Sequence, residues 1–220
     1  MKLFKILVVI LLLLAVDTLY SQDKLFFNRI HQFEHLECQH PIGTIIKDKV
    51  FYSNNADNTT YMNFYNTESD TLYVDFTKYG SYIAFNQFKK SAFLEANVVL
   101  MGFMKGVPID AVSVSEARMK FRVNKVKDTM VEGKKLKHIQ IQPRNTKKHN
   151  FESYNIFINT KVETEIPLYT SPTIFFLLKG SLKDLIGTVV ETYFIDLEGY
   201  RYCRDILTGF QIINKRVILR

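Results

Sequence analysis

Hydrophobic positions divide the chain into one opening apolar run and a long series of short segments in which apolar and polar residues alternate. Lys2 and Lys5 precede eleven uninterrupted apolar residues, Ile6 to Val16, and Asp17 closes the run. A basic head, a short greasy stretch and a small residue at Ser21 are the marks of a secretory signal peptide. A helix that crosses a membrane needs ~20 apolar residues, so the run is too short to stay as an anchor. Residues 1–21 are therefore expected to be a signal peptide, and residues 22–220 a single β-rich domain. No cysteine lies near the end of the run, so the mature protein is expected in the periplasm or outside the cell without a lipid anchor.

Asp23 is placed to cap an amphipathic helix over Lys24 to about Leu36, in which Phe26, Ile30 and Phe33 share one face before Pro41 and Gly43 stop it. Strands are expected at Thr44 to Tyr52, Thr60 to Asn66, Thr71 to Thr77 and Ser81 to Phe88, joined by turn-rich pieces. Leu72, Val74 and Phe76 face one way while Tyr73, Asp75 and Thr77 face the other, the alternation of a half-buried sheet. Ala92 to Met104 breaks this pattern. Its crowded apolar residues predict a helix buried nearly all round, or else an apolar flap over a ligand cavity with adaptable methionines. Strands resume at Met119 to Val123, Leu136 to Gln142 and Tyr154 to Ile158, with Pro143 to Asn150 a basic loop. Ser171 and Pro172 open a helix that carries Ile174 to Ile186. The end is sheet again: Val189 to Asp196, a turn at Glu198-Gly199, Tyr200 to Leu207, a turn near Thr208-Gly209, and Phe210 to Leu219.

These elements give an α+β class, mostly antiparallel β. The architecture expected is one curved antiparallel sheet, a half-barrel, with two or three helices against its concave side. Such a sheet leaves one face free for solvent or ligand. Length permits a substantial core in one domain, and 47% apolar residues argue against disorder.

Charge changes the picture locally. The full chain carries +7 and the mature part +6. Between Arg118 and Lys148 eleven Lys or Arg face only Asp128 and Glu132, so the rest of the mature chain is net acidic. Lys120, Arg122, Lys134, Lys135 and Lys137 are candidates for a patch that docks on an anionic membrane surface. Alternating lysines also protect a sheet edge from aggregation, which is the plainer reading. Nucleic acid is not an expected partner, for no stacking motif accompanies the charge.

The order of elements from about Arg118 to Leu219 resembles a family. Asp128-Thr129, Gly133-Lys134-Lys135, Ile139 to Gln142, Tyr154-Asn155-Ile156-Phe157, Glu165-Ile166-Pro167 and Leu185-Ile186-Gly187 are similar to small exported proteins of Gram-negative envelopes, of the LolA/LolB-like lipoprotein-carrier type. The resemblance implies a half-barrel able to hold an acyl chain. It transfers no functional residue.

Candidate chemistry is sparse. An apolar ligand site is drawn from Phe93, Leu100, Met101, Met104, Ile174, Phe175 and Leu178, for a lipid or another amphiphile. His31-Gln32-Phe33-Glu34-His35 spells H-x-x-E-H, in which two histidines one helical turn apart, His31 and His35, hold zinc and the glutamate activates water. Chance is the better account of that motif, and the polar side of an amphipathic helix its competing reading. Cys38 and Cys203, the two cysteines of the chain, are candidates for a disulfide in an oxidising compartment. The leading expectation is a non-enzymatic exported binder of an amphiphile without a cofactor; a zinc-dependent hydrolase and an adhesion or assembly component are the alternatives.

Overall fold

The computed structural model describes residues 24–36, 45–53, 59–66, 69–79, 82–102, 107–108, 114–131, 133–161, 167–181 and 185–219. Strand β1 is Lys24–Leu36, and β2 (Ile45–Ser53), β3 (Thr60–Asn66), β4 (Thr71–Lys78) and β5 (Tyr82–Lys89) follow it as a meander. Helix α1 (Lys90–Glu95) leads to β6 (Val98–Met101) and the two-residue β7 (Val107–Pro108). Next come α2 (Val114–Lys120), β8 (Phe121–Lys125), β9 (Thr129–Val131), β10 (Lys134–Pro143) and β11 (Phe151–Asn159). Helix α3 (Pro172–Ser181), β12 (Thr188–Asp196) and β13 (Arg201–Leu219) complete the described chain. All these strands join one curved, open sheet in the order β7-β5-β4-β3-β2-β1-β13-β12-β11-β10-β8, with β6 on β13 and β9 on β10. Among the described residues only the pairing of β6 with β13 is parallel. The expected half-barrel of antiparallel strands is thus the fold.

The opening helix is not formed. Lys24–Leu36 is a 13-residue strand in the middle of the sheet. Its phenylalanines and isoleucine also suit a strand, and the segment gains a ladder on each side, with β2 and with β13. A strand covered on both faces loses clean alternation, which is why helical spacing showed through. Phe27 belongs to one core and Phe33, an even number of residues on, to another. The change of face falls at the register shift between Phe27 and Arg29.

Ala92 to Met104 is not one helix either. Helix α1 ends at Glu95, and β6 alternates exposed Val98 and Leu100 with buried Val99 and Met101 beside Arg216 to Leu219. Two adjacent valines favour the strand, and buried Lys215 fixes the turn before it by donating from Nζ to the carbonyls of Phe93 and Ala96, the latter at 2.7 Å. The strand expected from Met119 starts at Phe121, after the unanticipated helix α2. Helix α3 begins at Pro172 as expected and is described to Ser181, and residues 182–184 lie outside the described residues. No turn interrupts the C-terminal strand. At Thr208-Gly209 the chain makes a bulge, because Gln32 pairs with Gly209 and Phe33 with Leu207.

Two main cores lie on opposite faces of the sheet. β3 sends Tyr61 into one and Met62 and Phe64 into the other, as strand alternation requires. The first core packs Phe33, Ile139, Ile141, Ile156, Ile158 and Val189 against Ala117 of α2 and Phe175, Leu177 and Leu178 of α3. The second packs Phe27, Val74, Phe76 and Val217 under Phe93 of α1 and Val99 and Met101 of β6. Helices therefore cover both faces, α2 and α3 on one and α1 on the other. The turn between β12 and β13 is held by Asp196, whose Oδ1 accepts from the amides of Glu198 (2.9 Å) and Tyr200 (2.8 Å), while Gly199 takes φ +91.

Gly187 is the other glycine with a steric duty. It has φ +130, and a Cβ there would lie 2.6 Å from the Asn159 carbonyl oxygen and 2.8 Å from the Ile158 side chain. Gly187→Ala is expected to destabilise the fold by about 2–3 kcal/mol, combining backbone strain with overpacking. Gly102→Ala, where a Cβ meets nothing within 4 Å, is the control. Equal urea midpoints for the two variants would contradict this assignment.

Candidate functional site

The site is built around α3 and the extended residues that lead into it. Two tyrosines on the meander hold that lead-in. Tyr61 Oη donates to the Thr170 carbonyl at 2.9 Å, and Tyr79 Oη donates to the Tyr169 carbonyl. The Tyr79 ring stacks on Phe175, with centroids 4.6 Å apart, and also meets Phe176. Burial raises the Tyr61, Tyr79, Tyr154 and Tyr169 phenols above their ordinary value, so they remain protonated donors at physiological pH. Ser171 Oγ accepts from the Ile174 amide at 3.5 Å, and Pro172 opens the helix where no amide donor is needed.

Beneath α3, between Phe33, Tyr154, Ile156, Tyr169 and Ile174, the core leaves a cleft of about 30 Å³. That is room for a water or two, not for a chain of methylenes. Asp205 closes one side and receives His35 Nδ1 at 2.5 Å. This cleft is therefore too small for an acyl chain.

The larger space lies at the flank of α3, over β8. A groove of about 440 Å³ has Phe121, Val123 and Leu177 as its apolar floor and Arg118, Arg122, Lys125 and Arg144 around it. Its size falls in the range of roughly 300–1,000 Å³ usual for small-ligand sites. Phe121 pairs with Pro143 and Val123 with Ile141, which sets both toward the core shared with α3. The cations are held by neutral groups: Arg122 Nε donates to Gln142 Oε1 at 2.9 Å, and Arg144 Nε donates to the Arg118 carbonyl at 2.7 Å.

No protein-family profile and no curated protein matches this chain. Among solved structures the chain is similar to MucB in the Pseudomonas aeruginosa MucA/MucB complex, with 9% identity and a TM-score of 0.44 over 84% of this chain and 51% of that one. It is also similar to MucB alone, with 10% identity and a TM-score of 0.41 over 84% of this chain and 53% of that one. A domain described as an outer membrane lipoprotein-sorting protein from Vibrio parahaemolyticus matches with 8% identity and a TM-score of 0.30 over 84% of this chain and 85% of that one. The chain spans about half the length of the MucB chains. These values describe a loose likeness of strand arrangement and carry nothing about function.

The residues expected to bind an apolar ligand do not form one site. Ile174, Phe175 and Leu178 sit together on α3, all but Ile174 fully buried in the first core. Phe93 and Met101 are buried in the second core on the other face, Leu100 is exposed, and Met104 lies outside the described residues. The basic residues divide as well. Lys120 and Arg122 are at the α3 end of the β8–β10 ladder, whereas Lys137, Lys135 and Lys134 are farther along β10, about 17 to 26 Å from Gln142, the partner of Arg122, at 3.3 Å per residue. Lys120 is paired with Glu116 at 2.6 Å and Lys135 with Asp128 at 3.2 Å. The groove adds Arg118, Phe121, Val123 and Leu177, whose only sequence signal was the alternation of apolar and basic residues through Phe121 to Lys125.

The H-x-x-E-H reading is overturned with its helix. On β1, His31 and His35 are separated by about 13 Å of strand, and Glu34 points to the opposite face. His31 is packed between Phe33 and Phe210, with ring centroids at 6.5 and 5.2 Å. Among the described residues no group of three metal-ligating side chains converges. Cys203 is disulfide-bonded and occupies a bulge of β13 against β12, with φ 47. Cys38 lies outside the described residues.

Burial, and then the charge of Arg29, push the His31 imidazole down to about 4. The unfolded chain then holds that proton more tightly, so the stability contributed by neutral His31 is complete above the ordinary 6.5 and is lost as pH falls toward 4. With about 1.4 kcal/mol for each tenfold change in proton affinity, the loss is ~3 kcal/mol. Urea unfolding of His31→Leu is expected to show a shallower fall in stability across that window than the parent chain; parallel slopes would refute it.

Proposed function

We propose that this chain is an exported envelope protein that binds an apolar or amphiphilic molecule and does no chemistry on it. One observation supports the reading most. The open sheet carries, at the flank of α3, a groove lined in part by apolar residues and in the size range of a small-ligand site, while the cleft between Phe33, Tyr154 and Ile174 has room only for water. The ligand is expected on half-buried Phe121 and Val123, which pack against the core residue Leu177. Residues 1–21 act as the discarded export signal in this reading.

The disulfide is proposed to join Cys38 to Cys203. The described part of β1 ends at Leu36, opposite Arg204 and thus one residue from Cys203. A bond there would clip together two strands already paired, in keeping with an oxidising compartment. Treatment of the unfolded, unreduced protein with a thiol reagent is expected to find no reactive thiol. Two reactive thiols would remove the bridge and weaken the case for export.

Ligand binding is checked with the neutral fluorophore 1-aminoanthracene, which brightens in apolar surroundings. Saturable binding at one site per chain is expected, weakened about tenfold or more by Val123→Asp, because a carboxylate on the floor must be desolvated when the ring covers it. Circular dichroism confirms that the variant is folded. Absence of saturable binding by the parent chain would sink the reading.

A further inference from the structure

We infer that the open edge of β8 is a docking site for an acidic polypeptide segment, which adds to the sheet as one more strand. The inference goes beyond the small-ligand reading, because it rests on backbone groups of the edge and does not need an amphiphile in the groove. Strand β8 ends the sheet order, and among the described residues no strand lies on its outer side. In an antiparallel ladder, residues whose amide and carbonyl meet the partner strand alternate with residues whose amide and carbonyl point away from it. Val126 donates its amide to the His138 carbonyl at 3.1 Å, and Arg144 donates to the Lys120 carbonyl at 2.9 Å. With Asn124 opposite Gln140 and Arg122 opposite Gln142, the even-numbered positions of β8 are the ones bonded to β10. Val123, between them, therefore turns its amide and carbonyl to the open side.

The groove follows that edge and not one face of the sheet. Side chains alternate along a strand, yet the lining takes Phe121, Val123 and Lys125 from one face and Arg122 from the other. A segment laid along the edge meets both sets, every second side chain beside half-buried Phe121 and Val123 and the others beside Arg122. Charge chooses the occupant. Arg118, Arg122, Lys125 and Arg144 line the groove, and among the described residues no carboxylate does. Neutral acceptors steady two of these cations: Arg122 Nε donates to Gln142 Oε1 at 2.9 Å, which also accepts from Asn124 Nδ2 at 2.9 Å, and Arg144 Nε donates to the Arg118 carbonyl at 2.7 Å. Cations on an edge discourage pairing with a like copy, so a second β8 is repelled. A strand in which Asp or Glu alternates with apolar residues is attracted. Main-chain hydrogen bonds then supply affinity and the alternating side chains selectivity.

Fluorescence anisotropy with a labelled hexapeptide of alternating glutamate and valine, blocked at both ends, tests this on the full chain. Saturable binding of one peptide per chain is expected, at least about tenfold tighter than that of the same peptide with lysine in place of glutamate. Val123→Pro is expected to weaken binding about tenfold or more: proline is tolerated on an edge strand where its missing amide faces outward, and it removes the donor. Circular dichroism checks that the variant is folded. A fully N-methylated glutamate–valine peptide, with the same charge and no amide donors, is expected to lose binding to the same degree on the parent chain. Arg122→Gln combined with Lys125→Gln is expected to weaken binding, whereas Lys147→Gln with Lys148→Gln, which removes the same charge outside the groove, is expected to leave it unchanged. No binding of the acidic peptide, or equal binding of the lysine peptide, overturns the inference. Undiminished binding of the N-methylated peptide, or by folded Val123→Pro, shows attraction by charge alone and overturns the added strand. Equal loss in both double variants overturns the assignment to this edge. Failure of 1-aminoanthracene to bind touches only the small-ligand reading.

Discussion

The antiparallel ladder between β1 and β13 holds the first and last described strands together at the centre of the sheet, and both halves of the molecule hang from it. On one side β2 to β5 continue from β1; on the other β12, β11, β10 and β8 continue from β13. The ladder is irregular where it must serve two masters. Register shifts at Phe27/Arg29 and Gln32/Phe33 let β13 keep Lys215 opposite Phe27, Phe210 opposite His31 and Leu207 opposite Phe33. Since a slip of one residue turns every side chain to the other face, each bulge exchanges one face for the other, and a single pair of strands can supply both cores.

Both cores need this exchange because the coverings lie on different faces. Helix α3 sits over the C-terminal strands and is roped to the N-terminal meander by Tyr61 and Tyr79, whose hydroxyls reach the backbone just before it. On the other face α1 and β6 cross over the meander and are fixed by Lys215, an amine that donates into the helix end and lies 4.3 Å from the Phe93 ring centre. Buried polar groups carry these joins: the hydroxyls of Tyr61 and Tyr79 and the amine of Lys215 each donate to a backbone carbonyl, as the high cost of an unmet donor demands.

Much of the fold could be read from alternation. Thr60–Asn66, Thr71–Lys78 and the strands near residues 139, 156 and 190 stand within a residue or a few of the pattern, since aromatic and β-branched residues crowd each of them between turn-rich pieces. What misled was the central strand, whose two dry faces produce spacing that imitates a helix, and Ala92 to Met104, where a short helix and a short strand run together without a glycine between them until Gly102. The groove was half legible. Its cations were conspicuous in the sequence, but the pattern could not show that Arg118, Arg122 and Arg144 come to one end of a ladder while Lys134, Lys135 and Lys137 go to the other, because that split follows from register. The apolar candidates were chosen for density of large side chains, and density reports burial more readily than access.

The central pairing of the two termini also constrains when the molecule can become solid. Strand β1 is synthesised first, yet both its neighbour β13 and the β6 strip that leans on β13 depend on residues beyond 200. Contacts so distant along the chain are slow to form, on the order of milliseconds to seconds in sheet-rich folds. Until Arg201–Leu219 is made, β1 lacks one of its two ladders and β6 has no strand to lie on. The molecule therefore closes from its middle outward only after most of the described chain exists, and a change that weakens β13 unfastens both cores at once.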